Sequence, residues 1–112
     1  MIFHICPRDA WATATADGFV PVGPEGFLHC SPADWVHRPA TLLFRGRTDL
    51  LLLEIDGDGL PVVWEDGVPP EPDGRQFPHI YGPLPVGAVV AVHDYPPRPD
   101  GSFPQWEGPV RP

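Results

Sequence analysis

Proline and glycine are the residues that most restrict how this chain can fold. The 112 residues include 18 prolines and 12 glycines, a content close to that of low-complexity sequences. These residues cluster at 69–72 and from residue 96 onward, and they leave apolar runs such as 50–53 uninterrupted. We therefore expect one globular domain over residues 1–95 and a proline-rich tail over residues 96–112. The tail is expected to pack on the domain, as Phe103 and Trp106 indicate, or to extend from it.

Short apolar stretches predict an α+β domain. Segment 49–55 is the clearest strand, and it ends at the turn sequence 56–59. The order of strand, helix, strand, helix and then several strands favours a mostly antiparallel sheet with two short helices over a doubly wound sheet. The other predicted elements are strands at 1–5, 26–30, 62–65, 77–81 and 88–93 and helices at 7–14 and after residue 31.

Proline positions define two of these elements more closely. Ser31 is suited to cap a helix that begins at Pro32, because proline fits the first helical position. Pro39 is then expected to break or kink this helix. Pro78 has no backbone N–H to donate, so strand 77–81 is expected at a sheet edge, or Pro78 at a strand start.

The charge of the chain disfavours several functions. The net charge is −8 and all seven basic residues are arginine, so chemistry through a lysine Schiff base is impossible. This acidic balance disfavours nucleic acid as a partner unless a local basic pocket exists, and Arg45 and Arg47 are the only close basic pair. Apolar runs are far shorter than the roughly 20 residues that span a bilayer, so no membrane partner is expected.

The cysteines and the N-terminal residues predict a cytoplasmic protein. Cys6 and Cys30 allow at most one intramolecular disulfide. Segment 1–4 lacks the charged start and the long apolar run of a secretion signal. A reduced chain in the cytoplasm is therefore expected.

Two histidine-bearing segments are the strongest indication of a site. Segments 25–31 and 77–83 each place one imidazole in a stretch that is otherwise apolar or conformationally restricted. Valine or isoleucine would normally fill such a position. The two imidazoles can therefore converge on one pocket.

Each histidine segment has a functional and a structural interpretation. His29 lies just before the expected helix start at Ser31, where free backbone N–H groups suit a phosphate or carboxylate. His79 and Tyr81 occupy positions i and i+2 of a strand, so both face the same wall. The alternatives are a buried His29 bonded to a backbone carbonyl, and an edge-strand turn with a half-exposed Tyr81.

Glu65 and His4 are further candidates. Glu65 leaves an apolar strand beside Trp64, an environment that raises the pKa of a carboxyl group and suits an acid or base. The alternative for Glu65 is a surface position at a strand end. His4 can share the pocket wall, or it can be a core histidine with satisfied polar atoms. Cys30 is not expected to be a nucleophile, because adjacent strand residues place it and His29 on opposite faces.

The chain lacks the spacing of common metal and phosphate motifs. Cys6, Cys30, His29 and His79 are residue types that bind zinc, but no Cys-x-x-Cys or His-x-x-x-His spacing occurs. Walker, Gly-x-Gly-x-x-Gly and Gly-x-Ser-x-Gly sequences do not occur either. No metal site is predicted.

The order and spacing of these segments resemble those of a known family. The segments that carry the resemblance are 2–5, Trp11, 25–31, 44–46, 49–56, Trp64-Glu65 and 77–84. Over residues 1–95, the chain resembles the small bacterial domain of unknown function family numbered 952 (DUF952). That family has been linked on structural grounds to the ADP-ribosyltransferase superfamily, including its RNA 2′-phosphotransferase branch.

The resemblance implies a split antiparallel sheet with an NAD-type ligand in a cleft. By resemblance, His4 or His29 holds the nicotinamide ribose and Tyr81 stacks on the nicotinamide. Glu65 or His79 then supplies a further polar side chain.

These inferences combine into an expected transferase that uses NAD or an ADP-ribose derivative. The expected catalytic residues are Glu65, His79 and His29. The expected ligand-binding residues are His4, Ser31, Tyr81 and Arg45, the last of which pairs with the pyrophosphate. The alternatives are a non-catalytic module that binds a nucleotide or sugar, and a scaffold that binds a partner. An RNA phosphate end stays open as an acceptor, and so does the oligomeric state.

Overall fold

A computed structural model of the chain describes residues 1–109. Residues 110–112, the end of the predicted tail, lie outside the described residues. The described part is an α+β domain with two helices and antiparallel strand pairs, as the sequence predicted. Its elements are β1 (Ile2–Pro7), α1 (Arg8–Asp17), β2 (Phe19–Val20), β3 (Leu28–His29), α2 (His37–Phe44), β4 (Leu50–Ile55), β5 (Val62–Asp66), β6 (Gln76–Ile80), β7 (Leu84–Pro85), a 3₁₀ helix (Val86–Ala88) and β8 (Val89–Asp94).

The strands form two three-stranded sheets and one two-stranded ribbon within residues 1–109. The strand orders are β1-β4-β8, β3-β6-β5 and β2-β7, and every pairing is antiparallel. Phe3 and Ser31 connect the two larger sheets, because each donates its backbone N–H to the carbonyl of the other at 2.8 Å. This bridge brings β1 beside the end of β3.

β4 separates two hydrophobic clusters. All six residues of β4 are buried. Successive side chains of a strand point to opposite faces, so Leu51, Leu53 and Ile55 pack into one cluster while Leu50 and Leu52 pack into the other. The first cluster also contains Ile2, Cys6, Ala14, Val20, Leu28, Cys30, Ile80 and Leu84, and the second contains Phe3, Val36, Ala40, Tyr95 and Phe103.

The second helix begins later than the sequence predicted. Residues 33–36 form a turn, and α2 begins at His37, so Ser31 caps no helix. Pro39 does not break α2, because it lies in the first turn, where backbone N–H groups have no partner within the helix. The backbone bond from Ala40 N–H to Val36 O, at 3.1 Å, closes this first turn.

β6 is the central strand of its sheet, so the edge position predicted from Pro78 is wrong. It pairs with β5 over five residues but with β3 over only Leu28 and His29. Pro78 O accepts a hydrogen bond from Cys30 N–H at 3.2 Å, but Pro78 has no N–H to donate in return. The β3 pairing therefore ends beside Pro78, which explains why β3 ends at His29, one residue before the predicted end at Cys30.

Residues 96–109 of the tail lie against the domain. Phe103 is 2% exposed and belongs to the second cluster. Its N–H donates to Thr41 Oγ1 at 2.9 Å, and the Tyr95 hydroxyl donates to Pro104 O at 2.7 Å. In residues 1–109, neither helix has the length and apolar character that crossing a membrane would require.

Candidate functional site

The pairing of β3 with β6 brings the two histidine segments together. His29 and His79 are directly opposite each other in the antiparallel register. Directly opposed residues share one face of a sheet, and their ring centroids are 5.3 Å apart at an interplanar angle of 71°. The two imidazoles are therefore neighbours, although 49 residues lie between them in the sequence.

The carboxylate of Glu65 is hydrogen-bonded to both polar rings of the second histidine segment, His79 and Tyr81. One carboxylate oxygen, Oε1, accepts from His79 Nδ1–H at 2.7 Å and also from the Tyr81 hydroxyl. His79 is 2% exposed, whereas Glu65 is 34% exposed at its side chain, so the carboxylate reaches the buried ring from the solvent side. With the proton on Nδ1, His79 Nε2 carries a lone pair, and it has no hydrogen-bond partner among residues 1–109.

The ionisation of Glu65 is opposite to the prediction from sequence. Hydrogen bonds from Tyr81 and then from His79 lower the pKa of Glu65, and they outweigh the smaller opposing effect of burial. The same contact with the carboxylate raises the pKa of Tyr81. Glu65 is therefore a carboxylate at neutral pH, not a proton donor.

His29 has a carboxylate partner that sequence reasoning missed. His29 Nε2 donates to Glu25 Oε2 at 2.6 Å, and this contact lowers the pKa of Glu25. Both side chains are about two-fifths exposed, at 39% and 41%. The signal was present in the sequence, because Glu25 opens the same segment that ends at Ser31. A spacing of four residues indicates a contact between side chains in a helix, but Glu25 lies in a loop, so its contact with His29 did not follow from the spacing.

Phe27 was also missed, and it lies among the three polar rings. Its ring stacks on His79 with centroids 4.3 Å apart, and it lies 4.8 Å from His29 and 5.1 Å from Tyr81. Phe27 precedes His29 by two residues, and the alternation of a strand could have indicated that they share a face. The phenylalanine restricts the orientation of the histidines by packing.

His4 contacts the site through the backbone. Its Nδ1–H donates to His29 O at 2.7 Å, and burial lowers the pKa of His4. A neutral ring bonded to a carbonyl is the structural alternative that the sequence left open. His4 and His29 also line a small, mostly apolar cavity of about 120 Å³ beside α2.

Two of the expected ligand-binding residues are not arranged as predicted. Ser31 lines the cavity at His29 and His79, but no helix begins there, so the helix-start anion site expected after His29 is absent. Arg45 lies at the end of α2, where its Nη1 donates to Asp100 O at 3.2 Å. Arg45 lines a different cavity, which contains neither His29 nor His79.

The cavity at the two histidines is small. Its volume is about 60 Å³, compared with the roughly 300–1,000 Å³ typical of ligand pockets. His29, Ser31 and His79 line one side, while α2 and the loop 67–69 line the other. The enclosed space therefore admits a hydroxyl or another small group, and any larger ligand has to extend across the exposed faces of Glu25 and Tyr81.

Cys30 also lines this cavity, but its thiol is not activated. Burial raises the pKa of Cys30 to about 12 and that of Cys6 to about 11, so both are protonated at neutral pH. Both cysteines are free. Within residues 1–109, no group of three or more His, Cys, Asp or Glu side chains is arranged to hold a metal ion.

Comparisons with known proteins identify the family. The model of the family described as "Protein of unknown function (DUF952)" matches residues 5–92. The crystal structure of protein CC0527 from Caulobacter crescentus is 30% identical, covers 92% of each chain and has a TM-score of 0.81. The solution NMR structure of CC0527 is 30% identical, covers 91% of this chain and 90% of that one, and has a TM-score of 0.76. No functionally curated protein matches. The chain therefore belongs to the DUF952 family of proteins of unknown function, as its histidine segments predicted.

Proposed function

We propose that this protein is a transferase of the ADP-ribosyltransferase type, which acts on NAD or an ADP-ribose derivative at the His29–His79 site. The observation that carries the proposal is the position of Glu65. Its oxygen Oε1 accepts from both His79 and Tyr81, so an ionised carboxylate lies between two groups that can bind a ribose.

The charge of Glu65 suits the chemistry of such a reaction. A bound NAD-type ligand would supply a ribose carbon that becomes positively charged as its bond to nicotinamide breaks, as in glycoside hydrolysis. Glu65 is held ionised by its two hydrogen bonds, and it would stabilise that positive charge electrostatically. The lowered pKa of Glu65 therefore supports a role as an anion in place of the acid role expected from the sequence.

The two histidines suit proton transfer and positioning. Glu65 fixes the His79 proton on Nδ1, so Nε2 is free to accept a proton from an acceptor hydroxyl. Glu25 orients His29 in the same way, and His29 Nδ1 is free to bind a ribose hydroxyl. Tyr81 is 44% exposed, which leaves part of its ring open for stacking on an aromatic base.

The size of the enclosed cavity restricts which part of a ligand it can hold. These residues fit the reacting end of an NAD-type ligand, but about 60 Å³ does not enclose a whole nucleotide. This observation favours a second candidate, a module that binds a nucleotide or sugar without turnover.

A cytoplasmic location is part of the proposal. Cys6 and Cys30 are free, buried thiols, and they suit a reducing compartment.

Calorimetry combined with product analysis tests both candidates. NAD, ADP-ribose and a short RNA with a 2′-phosphate are titrated into the wild-type protein, and nicotinamide release from NAD is followed by chromatography. Glu65→Gln is compared with Asp66→Asn, which makes the same change of charge one residue further along β5, on the opposite face. For the transferase, Glu65→Gln is expected to slow nicotinamide release by roughly a hundredfold or more, and Asp66→Asn is expected to leave it unchanged.

The possible results separate the two candidates. Binding with nicotinamide release that depends on Glu65 supports the transferase. Binding without release supports the module and overturns the transferase. The absence of heat with every ligand overturns both.

A further inference from the structure

A second cavity lies between α2 and the tail. Its volume is about 480 Å³, which is within the roughly 300–1,000 Å³ of typical ligand sites. Arg38 and Thr41 line it from α2, Arg45 lines it from the residue after α2, and Arg98 and Ser102 line it from the tail. It is a different cavity from the one at His29 and His79, although Leu42 and Glu71 line both.

The lining of this cavity is basic in an otherwise acidic protein. Three of the seven arginines of the chain line it, although the net charge of the protein is −8. Glu71 is the one acidic residue in the lining, and it lies 3.4 Å from Arg38 Nη2. Three arginine side chains and one glutamate side chain therefore line the cavity.

The arginines are only partly paired. The Arg98 guanidinium has no hydrogen-bond or ion-pair partner among residues 1–109, and the guanidinium of Arg45 bonds only a neutral carbonyl, that of Asp100. The Asp100 carboxylate accepts from the Ser102 hydroxyl at 2.6 Å and from the Ser102 N–H at 3.0 Å. These hydrogen bonds are the main cause that lowers the pKa of Asp100, and the positive charges of Arg45 and Arg98 lower it further without a direct ion pair. Most guanidinium N–H groups are therefore available to a ligand.

The pKa of His37 is affected by the positive charge of the same arginines. It lines the cavity, and its Nδ1 is buried without a hydrogen-bond partner among the described residues. Burial is the main cause that lowers the pKa of His37, and the positive charges of Arg38 and Arg98 lower it further, against a smaller opposing effect of Asp34. The ring is therefore neutral at neutral pH, and the arginines carry the positive charge of the cavity.

The tail wall of the cavity is anchored. Gly46 N–H donates to Gly101 O at 2.9 Å, and Phe103 N–H donates to Thr41 Oγ1 at 2.9 Å. Gly101 has a φ of 88°, and a Cβ there would lie 3.0 Å from Arg45 Cγ. The tail backbone therefore approaches the end of α2 as closely as a glycine allows, and it holds Arg98 opposite Arg38 and Arg45.

We propose that this arginine-lined cavity binds a small molecule that carries a phosphate or pyrophosphate group. Guanidinium groups bind phosphate oxygens with two parallel hydrogen bonds, and three of them around one cavity suit a multiply charged anion. A net charge of −8 opposes a long polyanion such as RNA, which would extend beyond the cavity over acidic surface. The site does not depend on the transferase activity proposed for Glu65 and the histidines.

Titration calorimetry with inorganic pyrophosphate and with inorganic phosphate, at low ionic strength, tests this site. Arg98→Gln is the main variant, because Arg98 makes no side-chain hydrogen bond within residues 1–109 whose loss would unfold the tail. Loss of one charge-assisted contact is expected to weaken binding by roughly tenfold or more. Arg47→Gln is the matched control, because Arg47 pairs with Asp49 at 2.6 Å and does not line the cavity.

Amide NMR spectra locate the bound anion. Pyrophosphate is expected to shift the resonances of residues 37–46 and 98–103 in the wild-type protein and in Glu65→Gln alike. Binding in Glu65→Gln at wild-type affinity keeps the anion site separate from the transferase proposal. Equal weakening by Arg98→Gln and Arg47→Gln, shifts outside these two segments, or no binding to the wild-type protein would each overturn the proposed site.

Discussion

Glu65 illustrates how a single residue acquires properties that its sequence neighbours do not reveal. Beside Trp64 at the end of an apolar strand, a carboxyl group is expected to have a raised pKa. Its Oε1 instead accepts hydrogen bonds from His79, which lies in β6, and from Tyr81, the residue that follows β6. These donors favour the charged form, so the pKa of Glu65 is lowered.

The stability of the protein is expected to depend on the ionisation of Glu65. The pKa of Glu65 in the folded protein lies below its ordinary value of 4.5, which applies to the unfolded chain. Its stabilising contribution is therefore fully present above 4.5, and it is lost as the pH falls through the folded pKa. Urea unfolding of Glu65→Gln and wild-type protein, between about pH 3 and about pH 7, measures this dependence. The difference in stability between the two proteins is expected to shrink as the pH falls.

Asp66→Asn is the control for that comparison. Asp66 is exposed and points to the opposite face of β5, so its replacement is expected to leave the acid dependence of stability close to that of the wild-type protein. A Glu65→Gln curve parallel to the wild-type curve at every pH would show that the hydrogen bonds to Glu65 do not stabilise the folded state.

Tyr81 provides a second measure of the same contact. The hydrogen bond to Glu65 is the main cause that raises the pKa of Tyr81 above its ordinary value of 10.0. In Glu65→Gln, this pKa is expected to fall back toward 10.0, as followed by NMR titration of the tyrosine ring resonances. Tyr95 is the internal reference, because burial raises its pKa to about 12 and it does not contact Glu65. A Tyr81 pKa that does not change in the variant would contradict the contact.

At the level of elements, the loop after β5 is fitted closely against β6. A Cβ at Gly67 would lie 2.8 Å and 2.9 Å from two ring carbons of Phe77 and 3.1 Å from Pro69 O. The loop therefore reaches the wall of the small cavity only because residue 67 has no side chain. Gly87, in the 3₁₀ helix, has nothing within 4 Å of an added Cβ.

These two glycines are expected to respond differently to the same substitution. Gly67→Ala forces the Phe77 ring or the loop to move, and it is expected to lower the free energy of unfolding by about 1–3 kcal/mol. Gly87→Ala is expected to leave stability unchanged or raise it by up to about 1 kcal/mol, because alanine restricts the unfolded chain more than glycine does. Chemical denaturation measures both, and equal effects at the two positions would contradict the close fit at Gly67.

The whole molecule depends on its tail to complete the second hydrophobic cluster. Phe103 packs there with Leu50, Leu52 and Tyr95, on the face of β4 that points away from the first cluster. Residues 96–109 therefore belong to the folded unit, although their composition is typical of a loop. The same segment forms one wall of the arginine-lined cavity.

Phe103→Ala tests how much the tail contributes to stability. Removal of a buried phenylalanine ring is expected to lower the free energy of unfolding by about 3–5 kcal/mol, a large fraction of the total for a small domain. Phe19→Ala is the matched control, because Phe19 is 42% exposed, and it is expected to cost clearly less. If Phe103→Ala lowers the free energy of unfolding no more than Phe19→Ala does, the tail does not contribute to the hydrophobic core.

Local patterns in the sequence were sufficient for the class of the fold and for part of the site. The uninterrupted leucines of β4, the turn sequence after Ile55 and the apolar run 88–93 depend only on neighbours in the chain, and they predicted β4 and β8. The i and i+2 spacing likewise predicted that His79 and Tyr81 lie on one wall. The second inference was reliable because the two-residue period of a strand is a property of the backbone.

Contacts between distant segments decided the rest. The register of β3 with β6 placed Phe27 and His29 against His79, and the pairing of β5 with β6 decided that Glu65 is ionised. The Phe3–Ser31 bridge occupied the residue expected to cap a helix, and the tail placed Arg45 in a basic cavity away from the histidines. Hydrogen bonding, burial and pKa depend on which atoms meet in space, and a residue's neighbours in the chain do not specify those atoms.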